Sequence, residues 1–558
     1  MLVLLSPESP SLPSQFDALL GRVSPWLVAF LLWLFLVRPL VQWLKIWVAL
    51  RPIPGPWDGI PFWFSVKTYW TTRKTIGLKD ATTGFLTIVN ELTRQYQWKT
   101  FKVYLGPMPV VFVHTPDAAE TLLTSKENFR KPFVYRFLSS WLGPHNLVTA
   151  TGDIWRFKRR LFTPAFHFRV LENYICHFNE NGNVLIKKLE KHIDEKPNEA
   201  LATFPLMQHL TLDIIGRVSM GTVLGMQTDT GNPFGKNLNR LSFMIVLRGF
   251  RPWMWIQQIY DLTYEGKVFR ETLLDMEKFS MSVMQQRKEK LQEMELNNEE
   301  EDGDGDEQDE EGEAYSKPIG KESIVLDYLL KKHLEESSYT IDEVKKDIDT
   351  IIFGGNDTTT SAMSWAFYLL GLHPDKQAKV HAELDEVFGT DRDRDVTKAD
   401  VNHLKYLECC IKETLRLFPS IPLIGRHLEE DLVIDGYRVP KGANVYINLF
   451  SLHQNPKYFK DPESFIPERF LTEEFTARHP YSYLPFSGGP KNCIGQRFAL
   501  LESKVIMAKL LLKFSVESTR PLDQLRVSYE IIVKARGGLR VWFRRRPPVT
   551  DKWQVSAT

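Results

Sequence analysis

Phe486-Ser487-Gly488-Gly489-Pro490-Lys491-Asn492-Cys493-Ile494-Gly495 is the stretch on which the reading of this chain turns. It fits F-x-x-G-x-[RK]-x-C-x-G, and four fixed positions recur by chance in only about 0.3% of chains of this length. Chemistry explains the pattern. Glycines let a loop turn tightly and aim backbone N–H groups at one atom. The segment that follows, QRFALLESKVIMAKLLLKF, has the pattern of an amphipathic helix starting close to Cys493. A helix N-terminus favours a thiolate. Cys493 is therefore a candidate thiolate ligand to a metal, with Phe486 placed to pack beside the sulfur. The other reading, a buried structural thiol, gives way once the remaining motifs are counted.

Upstream, Thr340-Ile341-Asp342-Glu343 is a capping box. It predicts a helix running to about Leu372, before Pro374, long enough at 1.5 Å per residue to cross the whole body. The middle of that helix is odd: Phe353-Gly354-Gly355-Asn356-Asp357-Thr358-Thr359-Thr360. Each glycine costs about 1 kcal/mol relative to Ala, and threonines bend helices by bonding back to earlier carbonyls. A central helix weakened here lets something approach its backbone. Asp357 beside Thr358 then reads as a proton-delivery pair on an opened groove. Taken alone, the notch also suits close helix packing around a satisfied Asp.

Composition narrows the classes. The 558 residues are 43% hydrophobic and 25% charged, which excludes a fibrous, collagen-like or wholly disordered chain. Four cysteines with no C-x-x-C pair exclude a disulfide scaffold and the common zinc patterns. The net charge of +1 hides an asymmetry: residues 293–313 hold 13 of the 69 acids and no Lys or Arg, leaving 56 acids against 70 basic residues elsewhere. Asp302, Asp304, Asp306 and Glu313 sit at calcium-loop positions, but Glu307 stands where such a loop needs Gly. The tract reads as a solvated, self-repelling, disordered insertion.

The first 50 residues read as a membrane anchor. Pro25 to Val37, PWLVAFLLWLFLV, carries no charge. It approaches the ~20 apolar residues of a span if it starts near Leu19 or continues to Leu44. Arg38, Lys45 and Arg51 follow it, so the positive-inside rule places residues 51–558 in the cytosol. Arg51-Pro52-Ile53-Pro54-Gly55-Pro56 gives a stiff, extended hinge at 51–56.

Together these motifs resemble those of a cytochrome P450, in that family's order along nearly all of residues 50–545. The resemblance implies a mainly α fold with a smaller β region and a haem b cofactor whose iron is held axially by the Cys493 thiolate. Such a ligand pushes electron density toward the trans site and favours O–O cleavage. Lys491 would face a haem propionate. Trp155-Arg156-Phe157-Lys158-Arg159 matches W-x-x-x-R, whose Trp155 and Arg159 meet a propionate, and Arg426 falls where the family often places another such partner. Glu413-Thr414-Leu415-Arg416 matches the E-x-x-R helix, joined by Arg469 of Pro467-Glu468-Arg469-Phe470 in a structural trio. Gly354-Gly355-Asn356-Asp357-Thr358-Thr359 matches [AG]-G-x-[DE]-T-[TS]. That match implies Gly355 beside the haem, and Asp357 and Thr358 organising water for proton delivery. Oxygen-independent haem-thiolate isomerases often lack that pair, so a monooxygenase is favoured.

Trp141-Leu142-Gly143, Leu161 to Phe168, Asp357 to Ala362 and Pro485 to Pro490 are similar to the fourth P450 family. Many of its members hydroxylate fatty acids at or near the terminal methyl. Many also carry a Glu, which can be esterified to haem, where this chain has Gly354. No ester link is possible here, and strict terminal attack loses its support. The chain has no flavin or NADPH fingerprint. Electrons would come from NADPH through NADPH–cytochrome P450 reductase, with cytochrome b5 as an accessory donor. Arg156, Lys158, Arg160 and Arg497 would dock the acidic partner. The expected setting is the endoplasmic reticulum membrane, with a lipophilic small-molecule substrate and no nucleic acid. The competing readings are an NADPH-independent isomerase or dehydratase of lipid hydroperoxides, a hydrocarbon-forming or xenobiotic-oxidising P450, and a non-catalytic haem scaffold. Strands are expected near 101–114, 432–447 and 526–543, with Gly436–Ile447 as a hairpin.

Overall fold

Thr340 opens the element around which the molecule is arranged. The computed structural model describes residues 30, 33–56, 81–105, 108–229, 231–301, 324–335, 338–472 and 477–547. The Thr340 hydroxyl accepts the Glu343 N–H and the Glu343 carboxylate accepts the Thr340 N–H, closing the capping box. The helix then runs Ile341–Leu372, 32 residues, as its capping signal and Pro374 predict.

The principal helices, in chain order, are α1 (Arg38–Ala49), α2 (Gly152–Phe162), α3 (Ile175–Glu195), α4 (Thr203–Met220), α5 (Phe234–Gly249), α6 (Tyr264–Glu301), α7 (Ile341–Leu372), α8 (Lys405–Leu417) and α9 (Gln496–Lys513). Helix α7 packs most extensively on α4 and also meets α8 and α9, while α9 leans on α3. From Thr359 to Leu370 every residue of α7 is buried, as a helix at the centre of a large core must be.

The strands are short. β1 (Phe101–Leu105), β2 (Met108–Val113), β7 (Asn444–Asn448) and β4 (Leu423–His427) form one sheet in the order β1-β2-β7-β4. β3 (Leu201–Ala202), β11 (Arg540–Arg545) and β8 (Phe514–Ser518) form a second. β5 (Leu432–Ile434) pairs with β6 (Tyr437–Val439), and β9 (Arg526–Glu530) with β10 (Ile532–Arg536). The fold is mainly α with small sheets, and the three predicted β regions hold strands.

Three expectations need correction. Gly436–Ile447 is not a hairpin: β6 turns back onto β5 through Asp435 and Gly436, both at positive φ, as an Asp-Gly turn favours. β7 leaves for the other sheet, parallel to β2, where all five of its residues are buried. Helix α9 is not amphipathic. From Glu502 to Leu512 it is buried all round, and the charges that suggested a polar face there are paired, Lys504 with Glu408 at 2.9 Å and Lys509 with Asp395 at 2.7 Å. The acidic tract is helical over its first part, since α6 continues to Glu301. Glu, Met, Leu and Gln are good helix formers. Residues 302–313 lie outside the described residues.

Of the expected anchor, residues 1–29, 31 and 32 lie outside the described residues. Trp33–Val37 is a short π-helical turn leading into α1. No helix among the described residues is long and apolar enough to cross a membrane. Helix α1 exposes Leu40, Val41, Leu44 and Val48, while Ile46 packs toward Gly442. The hinge is tied to the body: Lys102 Nζ donates to the carbonyls of Leu50 and Arg51 at 3.1 Å, and Lys102 N donates to Pro54 O at 2.8 Å. A Cβ at Gly55 would strike the Lys102 carbonyl.

Glu413 of α8 is fully buried and held by two arginines. Arg416 reaches its two oxygens at 2.7 and 2.8 Å, and Arg469 donates at 3.2 Å. Arg416 also donates to the carbonyls of His453, Pro462 and Ser464. Removing one partner of such a group leaves a charge uncompensated, at about 3–5 kcal/mol. Arg416→Met is expected to lower the unfolding free energy measured by urea titration by that amount and to abolish haem incorporation.

Candidate active site

The 486–495 loop is built by its own backbone. Cys493 N donates to Phe486 O at 2.9 Å, Ser487 N to Leu484 O at 3.0 Å and Asn492 N to Gly489 O at 3.2 Å. Gly489 has φ of 69° and its missing Cβ would collide with the Leu123 carbonyl, so no other residue fits. Gly495 is the N-cap of α9. Burial pushes the Cys493 thiol up, while the Gly495 N–H and the Arg159 charge pull it back. The same arginine clamps the loop: its two terminal nitrogens donate to Asn492 O and Oδ1, each at 2.8 Å.

Cys493 opens onto an internal cavity of about 1170 Å³. Phe486, Trp155, Arg159 and Lys491 line it, as do Gly354, Gly355 and Thr358 of α7. The motif residues thus meet in one space. Arg426 is buried just behind the wall. Around it lies a cluster of cations. Lys491 donates to Ala150 O at 2.6 Å and sits 6.0 Å over the Trp155 ring. Lys131, on the cavity wall, lies 5.1 Å over the Tyr135 ring. Among the described residues no carboxylate closes an ion pair with Lys131, Arg426 or Lys491.

That arrangement is costly as it stands. Burial, then Arg426 and Lys491, hold Lys131 well below the usual lysine range. Burial, then Arg426, lowers Lys491 to about 7, against a weaker pull from Glu429. Burial lowers Arg426 to about 10. Buried cations without counterions call for an anionic ligand. A flat apolar macrocycle bearing two carboxylates, with its metal over Cys493, meets all three demands: the apolar walls, the thiol and the cations.

The notch of α7 divides its residues between two sides. Thr358 faces the cavity, its hydroxyl donating to Gly354 O at 2.8 Å. Gly354 opens into space, with nothing within 4 Å of where a Cβ would sit. Gly355 lines the cavity but also admits α4: its Cβ would lie 2.8 Å from Ile215. Asp357 does not line the cavity. Its carboxyl is buried toward α4, where Oδ1 accepts from Asn356 at 2.9 Å and Gln208 at 3.3 Å. Burial raises its pKa, and Lys534 opposes the rise.

Lys158 is placed differently from its docking expectation. It is 3% exposed and bonded to Asp347 at 2.5 Å, with its ammonium 4.6 Å over the Tyr339 ring, so it points into the body and not at a partner. Arg156, Arg160 and Arg497 are exposed. Sequence reasoning missed Lys131, which no motif marks, and Glu502. The latter is an acid alone in an apolar run, and that run was the available signal. Its side chain is buried beside Thr359, and burial raises its pKa to about 8.

The family model for cytochrome P450 matches residues 66–538. The chain belongs to the cytochrome P450 family. It is 36% identical over 513 residues to cytochrome P450 4V2 of Rattus norvegicus, covering 92% of this chain and 93% of the relative. It is 37% identical over 515 residues to cytochrome P450 4V2 of Homo sapiens, with the same coverage. Cytochrome P450 4c3 of Drosophila melanogaster is 36% identical over 442 residues, 79% of this chain and 81% of the relative. The chain is thus a haem-thiolate monooxygenase of the fourth-family type.

Three outcomes are expected of this P450. Cys493→Ala loses the red-shifted band of the reduced CO complex, and acidified organic solvent extracts all haem from the native protein because Gly354 offers no ester. Lys131→Met raises the rate of haem transfer to an apo-haem acceptor by about tenfold, the size of a lost charge-assisted contact.

Glu502 supplies a fourth. Folded, it titrates near 8, and unfolded near 4.5, so the folded state binds more protons between those values. Stability therefore falls as pH rises through that window. Glu502→Gln removes the loss, and its melting temperature gains on the wild type from about pH 5 to about pH 9.

Proposed function

We propose that this P450 inserts one oxygen atom from O2 into a lipophilic, fatty-acid-like substrate, using NADPH electrons delivered by NADPH–cytochrome P450 reductase, with cytochrome b5 as accessory donor. The observation that carries the reading is the cavity. It is larger than the ~300–1,000 Å³ of a drug-sized pocket, has the Cys493 thiol in its wall, and carries apolar residues such as Leu105, Met108, Phe112, Phe250 and Trp253. Haem fills part of it and leaves room for a long apolar chain.

Haem, when bound, supplies reductive activation of dioxygen. This chain's residues do the rest. The Cys493 loop holds the thiol under Gly495 N–H and Arg159, which favour its ionised form. Lys131, Arg426 and Lys491 neutralise the two carboxylates. Thr358 presents a hydroxyl to the cavity, and Asp357 supplies protons for it to pass on. Apolar walls exclude water and orient the substrate. The recess at Gly354 leaves the substrate unclamped beside α7, which supports attack at several carbons near the chain end rather than at the terminal methyl alone.

The exposed apolar face of α1 and the exposed Trp253, Ile256, Ile259 and Leu262 support attachment to the endoplasmic reticulum membrane, with the body facing the cytosol. Arg156, Arg160 and Arg497 support docking of an acidic electron donor.

The test is product analysis. Full-length enzyme, reductase and NADPH are given fatty acids, fatty aldehydes and terpenoids, and products are resolved by position of the new oxygen. Hydroxylated fatty acids near the methyl end, formed only with NADPH, are expected. Turnover without NADPH, or oxidation of every class except fatty acids, would overturn the proposal.

A further inference from the structure

Asp357 sits at the inner end of a polar chain that the apolar interior does not otherwise need. Gln208 of α4 and Asn239 of α5 face each other as two amides. Asn239 Nδ2 donates to Gln208 Oε1 at 2.7 Å, and Gln208 Nε2 donates to Asn239 Oδ1 at 3.1 Å. The same Gln208 nitrogen reaches Asp357 Oδ1 at 3.3 Å. On the outer side Lys534 Nζ approaches Asn239 Oδ1 at 3.4 Å, and Lys534 pairs with Glu530 at 3.4 Å. Gln208 is 4% exposed, while Asn239 and Lys534 are half-buried. The chain therefore runs from a sealed acid to the protein boundary.

The charged groups facing Asp357 are Lys534 and Glu530, both from the β9–β10 hairpin. Helix α4 contributes Gln208, α7 contributes Asn356, and the Ser242 hydroxyl of α5 faces the carboxyl without closing a hydrogen bond. Among the described residues no cation bonds to the acid directly. Moving it breaks hydrogen bonds from neutral amides and no ion pair.

We propose that Gln208 is a positioning residue for proton delivery: with Asn239 it forms an amide latch that holds the Asp357 carboxyl away from the cavity and releases it toward Thr358 during turnover. The inference rests on the reading of Asp357 and Thr358 as the proton-delivery pair. The amides themselves relay no proton. The acid gives its proton to water beside Thr358, becomes a carboxylate, and regains a proton from bulk water. Gln208 donates to that carboxylate and so favours its return. The 3.3 Å contact to Asp357 is longer than either bond within the amide pair, which is where a latch should part.

The test uses full-length P450 with reductase, NADPH and the best substrate found above. Product formed per NADPH consumed, peroxide released, KM, the reduced-CO spectrum and the pH profile of coupling are measured for Q208L, N239L and D357N. Q208L is expected to lower coupling about tenfold, a fraction of what a positioned general acid contributes. Peroxide should account for the missing NADPH, and the alkaline limb of the coupling profile should move to higher pH, because the carboxylate has lost a donor. KM and the CO spectrum should hold. N239L leaves the Asp357 contacts in place and shifts the same quantities less. It carries the same test should Q208L not fold. Uncoupled D357N with Q208L and N239L coupled like the wild type overturns the latch alone. D357N coupled like the wild type overturns the proton-delivery reading and the latch together.

Discussion

The buried charge of Glu413 governs more of this molecule than its own helix. A carboxylate with no exposed surface survives only if every lone pair is answered, and Arg416, Arg469 and the Ile466 N–H answer it. Arg416 passes the constraint on by donating to His453 O at 3.0 Å. His453 Nε2 accepts the Leu484 N–H at 2.8 Å, which it does only as a neutral ring. Burial, then the Arg416 charge, keep it neutral by lowering its pKa to about 3. Leu484 O accepts from Ser487, and Phe486 O accepts from Cys493. Hydrogen bonds, joined by short runs of backbone, thus tie the ion trio to the Cys493 main chain.

Legibility followed locality. The capping box at Thr340, the 486–495 loop and the E-x-x-R pair each lie within about ten residues, so local pattern and final geometry agree. The cation cluster is different. Lys131, Arg426 and Lys491 come from three distant segments; the family resemblance points Arg426 and Lys491 at the propionates, but only the folded chain brings Lys131 to the same corner. The β6–β7 pairing failed for a related reason. Alternation near Gly436–Ile447 shows that strands exist, but not which neighbour each one takes, and Pro440 and Gly442 separate two strands that belong to different sheets. Lys158 reads as surface charge because its partner, Asp347, is 189 residues away.

Helix α7 shows why adjacent residues need not share a site. At about 100° per residue, Thr358 meets the cavity while Asp357 meets α4. The glycines serve both sides: Gly354 leaves space, and Gly355 lets Ile215 in. The notch thus opens onto the cavity on one face and takes a packing contact from α4 on the other.

The tie between the hinge and β1 has mechanical meaning. Lys102 fastens the carbonyls at the end of α1 to the strand that pairs with β2. Leu105, Met108 and Phe112 of those strands line the cavity. A tilt of α1 is delivered along this lever to the cavity wall rather than absorbed in slack chain. The N-terminal helix and the cavity wall are in this way joined through a single strand pair.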